Sequence, residues 1–360
     1  MNNTQKLTGG IIIAVVVVGV LWWAFNQKQV PTLDKPLKIG AVLALSGDLA
    51  VIGEEIQKGI KMAQKEAEAE GMLIEVVYED GQSLNAASAV SGAKKLLEID
   101  DIDAGLTGLI QEAKPITSLF AAQQIPLVVT WDSDAFVENA GDYLFSTGFS
   151  TEKAGQKMAM YAYEELGARR IAVINQLDPW SETISTAFAV KFKTLGGNIV
   201  IQEAYQPSEK DYRTFITKAK DANVDAIYLP LIPGTCADFL TQAKRLSVDT
   251  ALLSGDSLLQ DEIDAAGDAA EGVYFTNFFT DEIKAIKITK SYHSMFGSDP
   301  IDTTLVSFGY DGFKAIQEAV EDAGSGNIQK GLIKIIGPSR TLDRTENIYQ
   351  VKNGKQTFIK

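Results

Sequence analysis

The sequence predicts an α/β protein of two lobes, each built on a parallel central sheet, preceded by one N-terminal transmembrane or signal helix. Three observations predict this. Strand-length apolar runs alternate with helical periods, the alternation restarts near mid-chain, and 360 residues suit two domains at ~150 residues each. At 46% hydrophobic and 22% charged, the composition is that of a globular protein able to bury a sizeable core.

The elements follow in order. Between Lys6 and Lys28 lies an uncharged run centred on IIIAVVVVGVLWWAF, long enough to cross a hydrocarbon core of about 30 Å. Trp22 and Trp23 stand at its end, where indole prefers the interface. No Cys follows the run, which excludes a lipoprotein signal, and VLWWAFNQ offers only Ala24 as a small residue for cleavage. A retained anchor over 1–28 is therefore favoured over a cleaved signal, with 29–36 as a short extended linker.

From Leu37 the strand LKIGAVLAL is followed by an amphipathic helix, EEIQKGIKMAQKEAEAE, in which Ile56, Ile60, Ala63 and Ala67 share one face. Gly71 stops it. MLIEVVYED, IDAGLTGL and IPLVVTW read as strands, with ASAVSGAKKLLEI and KPITSLFAAQQ as the helices between them. The pattern then repeats with strands RRIAVIN, GNIVIQEAY, VDAIYLPL, TALLSGD and GVYFTNF separated by four helices. Two further helices follow Phe279, and ENIYQVKNGKQTFIK reads as a hairpin turning at Asn353-Gly354.

Charge and motifs exclude several functions. The formal net charge is −14; the first thirty residues carry Lys6, Lys28 and no acid, so the rest carries −16. Such a body repels phosphate backbones, and nucleic acid is not an expected partner. One Cys and one His rule out disulfide frameworks and multi-cysteine or His-rich metal sites. No P-loop or G-x-S-x-G elbow occurs, and GLTGLI lacks the third glycine of a dinucleotide fingerprint. His293 lies in a polar mid-helix stretch and is expected at the surface. Cys236 is expected as a partly buried inert thiol in a strand-to-helix loop. No enzyme activity, cofactor or metal is implied.

Ligands of open α/β sheets gather at the carboxyl ends of strands. Those ends read LSGDLA, TGLIQEA, TWDSD, NQLDPW, LPLIPGTC and SGDSLL, with Ser46 a candidate contact in the first. Asp256 could pair with an ammonium or cap the following helix, and Asp132 and Ser133 share that ambiguity. Trp131 and Trp180 could form an aromatic or apolar wall, or pack into the core.

IGAVLALSGDLAVIGEEIQKGIKMA resembles the opening of the leucine/isoleucine/valine-binding family of ABC-transporter solute receptors. YLFSTGFSTEKAGQKMAMYAYEELGARRIAVI resembles that family's crossover into its second lobe. VDAIYLPLIPGTCADFLTQAKRL, LLSGDSLL and AAEGVYFTNFF keep the family's order and spacing. The resemblance covers nearly all of residues 37–360. It implies two Rossmann-like lobes of the type I periplasmic-binding fold, with discontinuous domains: 37–147 plus 277–336, and 148–276 plus 337–360. It further implies a cleft that closes on an amino acid or related nitrogenous solute and delivers it to ABC permease subunits. The receptor would be a monomer outside the cytoplasm, held to the cell membrane by its N-terminal helix; a ligand-sensing ectodomain that signals through a partner is the alternative.

By this resemblance Asp256 matches the acid that takes the ligand's ammonium, Ser133 a hydroxyl position, and Trp180 stands where Tyr is usual. The departures concern charge and size. Gln111 and Glu112 replace a run of Ser, Asp132 replaces a small neutral residue, and Ile52 and Ile232 stand where aromatics are common. A carboxylate at Glu112 or Asp132 would repel a bound carboxylate. The expected ligand is therefore more positive than an aliphatic amino acid, or lacks a free carboxylate.

Overall fold

The computed structural model describes residues 35–360 except 84, 257 and 279–281. The expected anchor over 1–28 and most of the linker lie outside the described residues. Among those described, no helix is long and apolar enough to cross a membrane.

The first run comprises β1 (Leu37–Leu43), α1 (Ala50–Ala69), β2 (Ile74–Asp80), α2 (Ala86–Glu98), β3 (Ala104–Thr107), α3 (Ile110–Ala122) and β4 (Leu127–Val129). It continues through β5 (Asp132–Ser133), α4 (Ala135–Asn139), β6 (Leu144–Ser146) and β7 (Phe149–Ser150). Strands β2-β1-β3-β4-β6 make one parallel sheet. Strands β1, β3 and β4 are buried along almost their whole length, as a sheet covered by helices on each side requires, while the edge strand β2 is half-buried.

The second run comprises α5 (Thr151–Glu164), β8 (Arg170–Gln176), α6 (Pro179–Thr194), β9 (Asn198–Tyr205), α7 (Arg213–Asp221), β10 (Ala226–Tyr228), α8 (Cys236–Arg245), β11 (Ala251–Leu253), α9 (Gln260–Ala266) and β12 (Tyr274–Asn277). Helices α10 (Glu282–Phe296), α11 (Thr303–Ala323) and α12 (Ile328–Ile336) follow, then β13 (Asn347–Lys352) and β14 (Lys355–Phe358). The second sheet has the order β14-β13-β12-β11-β10-β8-β9, parallel except where β13 and β14 join antiparallel. The hairpin turns through Asn353 and Gly354, with φ of 53° and 68°, the left-handed pair that an Asn-Gly turn supplies at low cost.

Helix α11 returns to the first lobe and lies directly on α1. The approach depends on two glycines: a Cβ at Gly59 would fall 2.0 Å from the Val306 carbonyl oxygen, and one at Gly309 2.0 Å from that of Ile56. Helix starts differ from the sequence expectation in two places. α1 begins at Ala50 rather than Glu54, burying Ile52. α3 begins at Ile110 rather than near Lys114, so that Pro115 lies inside the helix and Gln111 and Glu112 in its first turn.

Between the two sheets, β5 and β7 pair in parallel, Asp132 opposite Phe149 and Ser133 opposite Ser150. Phe149 stacks on Phe278 at 3.8 Å and meets the Trp131 edge at 6.3 Å. The returning chain is laced to the first crossing: the Ser146 amide donates to the Arg340 carbonyl and that of Leu342 to Ser146, at 2.7 and 2.9 Å. Arg344 completes this junction, donating to the Thr147 carbonyl, pairing with Asp311 at 2.9 Å and lying over Phe308.

Candidate functional site

The carboxyl ends of both sheets face one cavity of about 80 Å³. The first lobe contributes Leu49, Ile52, Leu109, Gln111, Trp131 and Asp132; the second contributes Gln176, Asp178, Pro179, Trp180, Ile232 and Pro233. Of the residues nominated from the sequence, Gln111, Trp131, Asp132, Trp180 and Ile232 meet there. Leu109, Gln176 and Asp178 were not nominated, although the strand-end segments TGLIQEA and NQLDPW hold all three positions.

Four nominated residues are not on the cavity wall. Ser46 is exposed, and its hydroxyl donates to Asp80 at 2.6 Å. Ser133 is held by the β5–β7 pairing and donates to the Phe149 carbonyl at 2.9 Å. Glu112 turns inward beneath its own helix, accepting from the Leu109 amide at 3.2 Å and the Thr107 hydroxyl at 3.1 Å. Asp256 is buried behind the wall, on a loop whose Gly255 packs under the Trp180 ring; a Cβ there would lie 3.2 Å from the ring tip.

The two ambiguous aspartates are not caps of the helices that follow them. Asp134, not Asp132, caps α4 through the Phe136 amide at 2.9 Å. α9 begins at Gln260, beyond reach of a cap at Asp256. Asp132 instead crosses to α3, accepting from the Ile110 amide at 2.7 Å.

Burial sets the electrostatics. It pushes Asp132 up to about 7, opposed by the Ile110 amide and Lys114 and reinforced by Asp134. Burial likewise lifts Glu112 to about 7, against the pull of the Leu109 amide and the Thr107 hydroxyl. Asp256 rises to about 8 through burial, with the Asp132 charge adding; neither of its oxygens has a hydrogen-bond partner. Asp178 caps α6 with Oδ1, which accepts from the Trp180 and Ser181 amides at 3.0 Å each. Its Oδ2 has no partner, and neither has the Gln176 amide oxygen. Burial also raises the Asp178 carboxyl above its ordinary value.

The other sequence candidates lie elsewhere. His293 is exposed on α10, 2.9 Å from Asp299. Cys236 is fully buried as the first residue of α8, rather than in a loop, and burial pushes its thiol well up. No cluster of three or more His, Cys, Asp or Glu suited to a metal occurs among the described residues.

Two α/β sheets whose strand ends oppose one another across a small cavity have the architecture of a bilobal solute-binding protein. Residues 36–336 match the periplasmic binding protein family, and the chain belongs to that family. Its members are extracytoplasmic receptors for small molecules that work with ABC permeases, and it is not an enzyme family. The Leu/Ile/Val-binding protein BraC3 of Rhizobium johnstonii is 23% identical over 313 residues, 82% of each chain. A leucine-binding protein, LivK, of Thermotoga maritima superposes with a TM-score of 0.83 at 24% identity, covering 90% of this chain and 98% of that one. A solute-binding protein of an ABC transporter from Rhodopseudomonas palustris, in complex with 3,4-dihydroxybenzoic acid, gives 0.80 at 20% identity, covering 90% and 96%. These two structural likenesses are likenesses of fold.

Proposed function

We propose that the chain is the solute receptor of an ABC importer, and that it captures a nitrogenous small molecule by closing its lobes over the cavity. The observation that carries this reading is the composition of the wall. Gln111, Trp131 and Asp132 come from one lobe and Gln176, Asp178, Trp180 and Ile232 from the other. A ligand bridging them stabilises the closed arrangement over the open one by its differential contacts. The two indoles supply apolar faces and the side-chain oxygens supply direction.

Lobe one spans 37–147 plus 277–336 and lobe two 148–276 plus 337–360 in this reading. Sheet membership supports it, since β13 and β14 extend the second sheet while α11 packs on α1. The receptor acts as a monomer, tethered outside the membrane by a retained helix over 1–28, the reading favoured by a VLWWAFNQ junction that offers only Ala24 as a small residue for cleavage.

The test is mass spectrometry of small molecules released from protein purified without denaturation, followed by X-ray scattering of the stripped receptor with and without the molecule found. A stoichiometric nitrogenous solute that compacts the particle is expected. Release of no solute, together with identical scattering curves across a solute panel, would overturn the reading. Intact mass of the membrane-fraction protein, with residues 1–28 present, tests the tether.

A further inference from the structure

A helix N-terminus facing a ligand cavity is a ready site for an anion, because its first amides are unpaired and its dipole favours negative charge. In this chain the protein fills that position from within. The Ile110 amide donates to Asp132 Oδ1 at 2.7 Å and the Leu109 amide to Glu112 Oε2 at 3.2 Å. A ligand carboxylate approaching α3 would find the Leu109 and Ile110 amides taken and the Asp132 carboxyl beside it.

The opposite wall shows the complementary deficiency. Gln176 is 2% exposed and lines the cavity with its amide oxygen unpartnered. Asp178 lines it with Oδ2 unpartnered, and Asp256 lies behind with both oxygens unpartnered. No Lys or Arg is among the lining residues. Buried acceptors without donors are costly, and unpaired buried carboxyls more so. A ligand rich in N–H groups satisfies both, and the Trp131 and Trp180 rings accommodate a cation on their faces.

We infer that the cavity selects a small organic cation without a carboxylate, an amine, amidine or guanidine, held between Asp132 on one lobe and Gln176 and Asp178 on the other. This rests on the reading of the chain as a solute receptor. The test is calorimetric titration of the full-length protein with agmatine, putrescine and benzamidine, against arginine, leucine and 3,4-dihydroxybenzoate. At least one of the three carboxylate-free cations is expected to bind at least tenfold more tightly than every carboxylate in the panel. Gln176→Leu is expected to weaken that cation at least tenfold while its melting curve stays cooperative, and Asp132→Asn to weaken it while narrowing the gap to arginine. Tight binding of leucine or dihydroxybenzoate with all three cations silent would overturn the inference and leave the receptor reading standing. Silence of the whole panel against a folded protein would overturn the inference and count against this cavity as a solute site. A cation that binds the Gln176→Leu and Asp132→Asn variants as well as it binds the parent would overturn the assignment of these residues.

Discussion

The two lobes hold the buried carboxyls at and behind the cavity differently. On the first lobe, Glu112 and Asp132 each accept from an amide at the start of α3, and Glu112 also from Thr107. On the second lobe, Asp178 caps α6 through Oδ1 and, like Glu112, keeps one oxygen without a partner, whereas Asp256 has no partner on either oxygen. The sharpest difference is between Glu112, seated on donors at a helix start, and Asp256, which has none. A buried acid with amide donors helps to hold its helix, whereas one without donors weakens the empty protein and is relieved by a cation.

The largest expected effect tests the structural acid, Glu112. Glu112→Ala leaves the Leu109 amide and Thr107 hydroxyl buried without an acceptor, and should cost about 3 kcal/mol in denaturant unfolding. A loss below ~1 kcal/mol would move Glu112 out of the structural class. The opposite sign is expected across the cavity. Asp256→Asn removes a buried carboxyl that lacks partners, and should stabilise the empty receptor at pH 8 by ~1–3 kcal/mol while weakening its ligand. Destabilisation of the empty protein would end the contrast between the two acids.

The pH dependence follows from the raised carboxyls. Asp132 and Asp256 hold their protons to about 7 and about 8 when folded but release them near 3.8 when unfolded. Between those limits the folded state binds more protons, so the contribution of this pair to stability is greatest at low pH and falls as pH rises toward 8. Asp134, Glu112 and Lys114 act on Asp132, and Tyr228 lies within electrostatic reach of Asp256, so the pair titrates as part of that set. The difference in melting temperature between the parent and the Asp132→Asn/Asp256→Asn double variant should grow steadily in the variant's favour from pH 5 to pH 8. A constant difference would show that neither carboxyl is raised. The smallest effect serves as the exposed reference: His293→Ala, which loses only a surface contact to Asp299, should change stability by less than about 0.5 kcal/mol.

Much of the architecture was legible because it is written in periodicity. The restart of strand–helix alternation at RRIAVIN gives the second sheet, and the Asn353-Gly354 turn gives the hairpin that closes it. The first turn of α3 was not legible. Pro115 reads as a residue near a helix start, since proline is favoured at the first helical position, and this leaves Gln111 and Glu112 ahead of the helix KPITSLFAAQQ. With the start moved to Ile110, Glu112 occupies the third helical position, where an acid reaches back to the amide before it; the cap residue is Leu109, which hides the usual Ser/Thr signal. Gln176 was missed for another reason. Its importance comes from an amide oxygen left without a partner in the folded chain, a property of three-dimensional satisfaction that residue type does not carry. The pairing of Asp132 with Ile110 is likewise a contact between residues 22 apart in sequence that no local pattern encodes.

Selection of an organic cation by the cavity is the proposal most open to direct measurement. Titrating the tightest-binding of agmatine, putrescine and benzamidine into the full-length receptor at pH 7, in buffers of differing ionisation enthalpy, counts the protons exchanged on binding. Because the cation favours ionised forms of carboxyls raised to about 7 and about 8, binding should release protons to the buffer, and affinity should rise from pH 6 to pH 8. Binding that takes up protons, or that is indifferent to pH across this range, would contradict the account.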